Sequence, residues 1–119
     1  MPTIEDFAKL DIRVGRVLEA APLAGARKPA YRLRIDFGPD LGEKDSSAQI
    51  TDLYDPAELV GRLVMGIVNL PPRRVAGFKS EVLTLGVYSS GDDHSVVLIA
   101  PDSPRPDGSR APRPGDKLG

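Results

Sequence analysis

The 119-residue chain contains no cysteine and no tryptophan, and only one histidine. Absence of cysteine removes disulfides, thiolate nucleophiles and zinc-thiolate sites together, and fits a reducing cytoplasm. Three phenylalanines and three tyrosines are the whole aromatic complement, too few to support general single-strand binding over a series of stacking platforms. No apolar run approaches the roughly 20 residues of a membrane span. The opening "MPTIEDFAKL" also carries acids where a signal peptide carries cations, so neither membrane insertion nor export is expected. Neither sign of charge is in excess: sixteen basic against seventeen acidic residues leave a formal charge of −1. The whole-molecule balance therefore makes no case for an anionic partner.

Catalysis has little to work with. The histidine, His94, sits in "SSGDDHSV" beside Asp92 and Asp93, a trio that can in principle hold a metal or orient an imidazole. Three polar residues on a turn are far more often a solvated tip. No phosphate-binding glycine loop, nucleophile elbow or pair of spaced histidines is present, so a non-catalytic protein without metal or cofactor is expected.

What the chain does have is an uneven distribution of cations. Ala20 to Ile35 carries Arg27, Lys28, Arg32 and Arg34 without an acid, and Leu59 to Ser80 carries Arg62, Arg73, Arg74 and Lys79, again without one. The two windows hold eight of the sixteen basic residues and none of the seventeen acidic ones.

A chain of this length is expected to form one domain, residues 1–119, able to fold without crosslink or metal. Thr3 followed by Asp6 reads as a capping start for a short helix within residues 1–10, with Phe7 and Leu10 seated on the core. Ile12, Val14 and Leu18 alternate with polar residues in a long first strand that Gly15 bends. Tyr31, Leu33, Ile35 and Phe37 mark a second strand with Arg32 and Arg34 on its outward face. The turn-rich "GPDLGEKD" reads as a loop, followed by a third short strand over Ser47 to Thr51 with an uncharged polar face. "DPAELVG" reads as a compact helix with Asp55 as N-cap, Pro56 at its first position, Glu58 reaching back and Gly61 as its stop. Further strands are expected over 62–70, 81–88 and 95–100, before a Pro/Gly-rich tail at 101–119 that wraps the surface or stays mobile.

A coiled first strand, several antiparallel strands and a helix between the third and fourth describe an all-β, five-stranded Greek-key barrel of the oligonucleotide-binding (OB) fold, with a short N-terminal helix and an extra C-terminal strand and tail. Another small β-barrel or sandwich is the alternative. "RLVMGIVNL" is apolar on both faces and "SVVLIAP" nearly so. Their outer faces therefore need a cover, from the N-terminal helix, the tail or a second copy of the chain.

On such a barrel Arg32, Arg34, Arg73 and Arg74 suit phosphate contacts, with Pro71 and Pro72 restricting the loop that displays the last two. Ser46, Ser47, Gln49 and Asn69 offer neutral hydrogen bonds. Phe78, beside Lys79, either stacks one unpaired base or anchors its loop.

At "SSAQIT" and "NLPPRRVAGFKSEVLTLG", extended by "DFAKLDIRVGRVLEA" and "ARKPAYRLRIDFG", the chain resembles the tRNA-binding OB domain family in its stand-alone bacterial CsaA branch. The likeness covers Asp6 to Pro101. It implies an OB fold, a homodimer, tRNA binding, no catalysis and, for CsaA-like members, proposed handling of unfolded preproteins for the export machinery. It also implies a tRNA-binding face at Lys44, Ser46, Ser47 and Gln49, then Asn69, Arg73 and Arg74, then Lys79, Ser80 and Glu81.

Overall fold

The computed structural model describes residues 1–91 and 95–119. The trio Asp92, Asp93 and His94 lies outside the described residues. A short helix α1 (Ile4–Ala8) leads into strand β1 (Ile12–Pro22). After it come β2 (Tyr31–Asp36), β3 (Glu43–Ala48), helix α2 (Pro56–Leu59) and β4 (Leu63–Ile67). Five short strands follow: β5 (Arg73–Val75), β6 (Phe78–Ser80), β7 (Leu83–Thr84), β8 (Gly86–Tyr88) and β9 (Val96–Leu98).

β1 serves two neighbours, as its length and Gly15 suggest. Residues Ile12 to Arg16 pair with β4 and Arg16 to Pro22 with β2, and a register shift lies between Val17 and Glu19. A Cβ on Gly15 would stand 2.5 Å from Cγ2 of Ile35 and 2.8 Å from Cε1 of Phe37, so only glycine allows the strand to lie this close to the core. Ile12 and Val14 therefore join one apolar cluster with Met65 and Ile67, while Val17 joins the barrel interior. The bulge turns Leu18 outward, against the expectation that it would alternate inward with Ile12 and Val14.

The sheet runs β3-β2-β1-β4-β7, all antiparallel. Leu33, Ile35, Phe37 and Val64 fill its interior. Between β3 and β4, helix α2 plugs one end with the fully buried Leu59. Its signals work as read: the Asp55 N–H donates to Oε1 of Glu58 at 2.8 Å, and Gly61 stops the helix at φ +89°. This is the five-stranded OB barrel with its helix in the expected position.

Closure comes from residues 80–84, which cross from the β3 edge to the β4 edge. The Glu81 N–H donates to the Asp45 carbonyl at 2.8 Å, and the Ser47 N–H donates to Oγ of Ser80 at 2.9 Å. The buried Ser46 hydroxyl donates to the Val82 carbonyl at 2.9 Å and pairs with Oγ1 of Thr84 at 2.8 Å. β7 then pairs with β4.

Three further expectations require correction. The third strand begins at Glu43, inside the segment read as a loop, because Gly38 and Gly42 reverse the chain at once, with the Gly42 N–H on the Gly38 carbonyl at 2.7 Å. Its outward face therefore carries Glu43 and Asp45 and is not uncharged. The strand expected over 81–88 divides at Leu85, which changes partner from the Met65 carbonyl to the Ile99 N–H. Finally, the Thr3–Asp6 capping box forms, yet Phe7 is 45% exposed. Asn69 holds the 9–11 segment through the Asp11 N–H and the Lys9 carbonyl, each at 2.8 Å. That tether seats Leu10 against the apolar cluster and leaves the helix projecting.

The tail wraps. Its last residues lie along the part of β1 that β2 leaves open, with the Val14 N–H on the Asp116 carbonyl at 2.9 Å, the Gly115 N–H on the Val14 carbonyl at 2.8 Å and the Leu118 N–H on the Ile12 carbonyl at 2.9 Å. An otherwise exposed strand edge is thereby paired.

The serine latch sets an expectation for stability. Ser46→Ala removes one donor from Val82 and the partner of Thr84 in a buried site, so unfolding should become easier by about 1–3 kcal/mol. A urea titration should show a lower midpoint with an unchanged slope.

Candidate nucleic-acid interface

The segment read as a proline-stiffened loop is a β-hairpin. β5 and β6 pair Arg73 with Ser80, Arg74 with Lys79 and Val75 with Phe78. The two-residue turn between them puts Ala76 at φ +50° and Gly77 at φ +82°, the doubly positive geometry that suits the twist of a tight hairpin. Alternation then sorts the side chains. Phe78 and Ser80 turn toward the barrel, where Phe78 closes a small cavity of about 60 Å³ against Ala21, Arg32 and Arg34. Arg74 and Lys79 share the opposite, solvent-facing side. Like charges directly across a ladder repel, and neither cation has an ion pair among the described residues.

Below the hairpin the charge accounting differs. Arg34 faces the outward carboxylates of β3, with Nη1 3.0 Å from Oδ1 of Asp45 and Nε 3.2 Å from Oε1 of Glu43. Asp45, and then Glu43, hold its guanidinium above its ordinary value. Arg34 was expected to be an open phosphate contact and is instead neutralised by its own sheet, because β3 starts early enough to place both acids beside it. Arg32, one pleat along, is exposed and makes no ion pair among the described residues.

Beside the hairpin runs an open groove of about 1260 Å³. Its floor is the end of β3 and the turn after it, where Ser47, Gln49 and Thr51 present uncharged polar groups. One wall is the loop between β1 and β2, carrying Arg27 and Lys28, and another is the hairpin with Arg73 and Arg74. Gly25 of the first wall approaches Ala76 of the second, so that a Cβ there would lie 3.6 Å from the Ala76 Cβ. The remaining side is formed by β7 and β8, ending at Tyr88. Among the described residues a single carboxylate lines the groove, Asp52, and its Oδ2 accepts from the Ser95 hydroxyl at 3.3 Å.

The expected site residues thus separate. Ser47, Gln49, Arg73 and Arg74 meet in the groove. Lys79 lies on the outer hairpin face and Arg32 under the hairpin. Lys44 is half-buried on the alternate side of β3, opposite Ile35. Ser46 and Ser80 are buried in the latch, the half-buried Glu81 joins it through its amide, and both side-chain polar atoms of Asn69 are engaged with the 9–11 segment. Phe78 is half-buried on the barrel side of the hairpin. Arg27 and Lys28 were not among the expected contacts, although they sit in the first acid-free window, which was the signal that could have found them. Tyr88 had no signal beyond being aromatic.

A five-stranded barrel with this strand order and helix position belongs to the OB-fold class. The family profile described as "Putative tRNA binding domain" matches residues 12–110, and the chain belongs to that tRNA-binding domain family. It is similar to the CsaA chaperone protein of Picrophilus torridus at 43% identity and a TM-score of 0.87, covering 100% of both chains. Chaperone CsaA of Bacillus anthracis str. Ames is 47% identical with a TM-score of 0.83, over 100% of this chain and 99% of the other. Methionine–tRNA ligase of Nitrosomonas eutropha is 38% identical over 108 residues, which is 91% of this chain and 15% of the ligase. The chain therefore spans a small fraction of that ligase's length.

Removing the Phe78 ring should loosen the hairpin without opening the barrel. Phe78→Ala is expected to cost about 1–2 kcal/mol for a half-buried ring. Hydrogen exchange should speed up at amides 73–80 and stay unchanged in β1, β2 and β4.

Proposed function

We propose that the protein binds tRNA without catalysis, through the groove between the β1–β2 loop and the β5–β6 hairpin. One observation carries this reading: two acid-free basic segments far apart in sequence line one groove, in which Asp52 is the single lining carboxylate among the described residues. Guanidinium and ammonium groups in that position bind phosphodiesters and release condensed counterions. The family match supports RNA as the polyanion.

The protein acts as a homodimer in this reading. β8 and β9 pair Val87 with Val97, and the outward side of this ribbon stays exposed: 54% for Val87 and 39% each for Val97 and Ile99. Neither α1 nor the tail covers it, and α1 adds an exposed Ile4 and Phe7 of its own. A second copy is the cover that fits, and a two-fold axis would also present two grooves to one RNA. The likeness to CsaA chaperones supports a second reading, in which the same apolar ribbon holds unfolded polypeptide and the groove is incidental. Salt separates the two, because an apolar contact survives 0.5 M salt, roughly the strength at which phosphate contacts fail.

With about four phosphates neutralised, tRNA affinity should fall on the order of a hundredfold between 50 and 200 mM salt. The double variant Arg73→Ala, Arg74→Ala should bind more weakly and with a log–log salt slope smaller by about two. Equal binding by parent and variant at low salt would defeat the groove reading. Independently, Val87→Asp with Val97→Asp should sediment as the 12.7 kDa monomer, where the parent sediments as a dimer.

A further inference from the structure

The groove carries two features that a surface for tracking phosphates does not require. Tyr88 lines it and is 75% exposed. The floor is neutral, with Ser47, Gln49 and Thr51 lining the groove together with its cations. Strand alternation directs Tyr88 to the same side of the β8–β9 ribbon as Val96 and Leu98, which pack against the barrel core. Its ring therefore stands over the groove and not over the outward ribbon of Val87 and Val97. A large aromatic surface held in water gains transfer energy when another flat surface covers it.

A nucleotide with its base out of a duplex matches these parts together. Its π-face suits the tyrosine ring, its edge offers donors and acceptors to the Gln49 amide and the serine and threonine hydroxyls, and its flanking phosphates lie within reach of cations on two sides. A base inside a duplex hides its face from the ring. The groove's volume of about 1260 Å³ exceeds the 300 to 1,000 Å³ that is roughly typical for one small ligand, leaving room for more than one residue of a strand.

Building on the RNA-binding reading, we infer that this groove selects unpaired RNA nucleotides, with one base stacked on Tyr88 and its edge read from the floor. Phe78, half-buried beneath the hairpin, does not take this role. Single-stranded ends, bulges and loops are the substrate class, and duplex contacts are left to Lys79, which lies outside the groove.

The test uses the full chain and two labelled RNA probes, a blunt 12-base-pair duplex and the same duplex with a four-nucleotide 3′ overhang. Stacking by one base predicts roughly 5- to 150-fold tighter binding of the overhang probe. Tyr88→Ala should bring the overhang probe down to the affinity of the blunt one, and Tyr88→Phe should keep the preference. Because the chain has no tryptophan, Tyr88→Trp introduces a single reporter, whose fluorescence should be quenched by the overhang probe and not by the blunt one. If the parent shows no overhang preference, or keeps it in Tyr88→Ala, the inference is overturned while RNA binding stands. Should the parent bind neither probe at low salt, the RNA reading fails and takes this inference with it. Quenching of the Tyr88→Trp reporter by an unfolded polypeptide, and by neither RNA, would reassign the groove to protein clients.

Discussion

Much of the structure depends on how the barrel is closed. The β3 and β4 edges are joined by one short crossing, residues 80–84, through Ser46, Ser80, Thr84 and the backbone of Asp45, Glu81 and Val82. These groups are largely withdrawn from water, so leaving any of them unpaired carries a full desolvation penalty. The same crossing is the root of the β5–β6 hairpin. Holding Ser80 against β3 sets the register that lays Phe78 over the sheet and turns Arg74 and Lys79 to solvent.

Electrostatics follow from that placement. The outward face of β2 and β3 supplies counter-charges to Arg34, which is held between Asp45 and Glu43. The groove beside it does not, since Arg27, Lys28, Arg73 and Arg74 converge where Asp52 is the lining carboxylate among the described residues. Exposed ion pairs contribute little to stability, so the distinction matters more for binding. A guanidinium already paired must release its carboxylate before it meets a phosphate, and an unpaired one releases only water and solvent counterions.

Local rules made most of the framework legible. The helix between the third and fourth strands was readable from Asp55, Pro56, Glu58 and Gly61, because caps act over three or four residues. Inward aromatics on β2 followed from strict alternation. Errors arose where long-range pairing overrode local preference. β3 starts four residues ahead of its expected position because Gly38 and Gly42 reverse the chain tightly, and Leu18 faces outward because β1 carries a bulge shared between two partners. Likewise Ser46, Asn69 and Ser80 look in sequence like polar groups offered to a ligand, and their hydroxyl and amide groups are spent inside the fold.

The sequence by itself determined the barrel, the helix that plugs it, and two stretches from which acids are excluded, since each is a property of spacing along the chain. Which cations remain open, which are quenched, and which aromatic ring overlooks the groove were decided only by the tertiary structure. Those properties depend on distances between strands that local sequence does not encode: Asp45 stands beside Arg34, and Ala76 meets Gly25, only because a closed barrel brings remote segments within a few ångströms of one another.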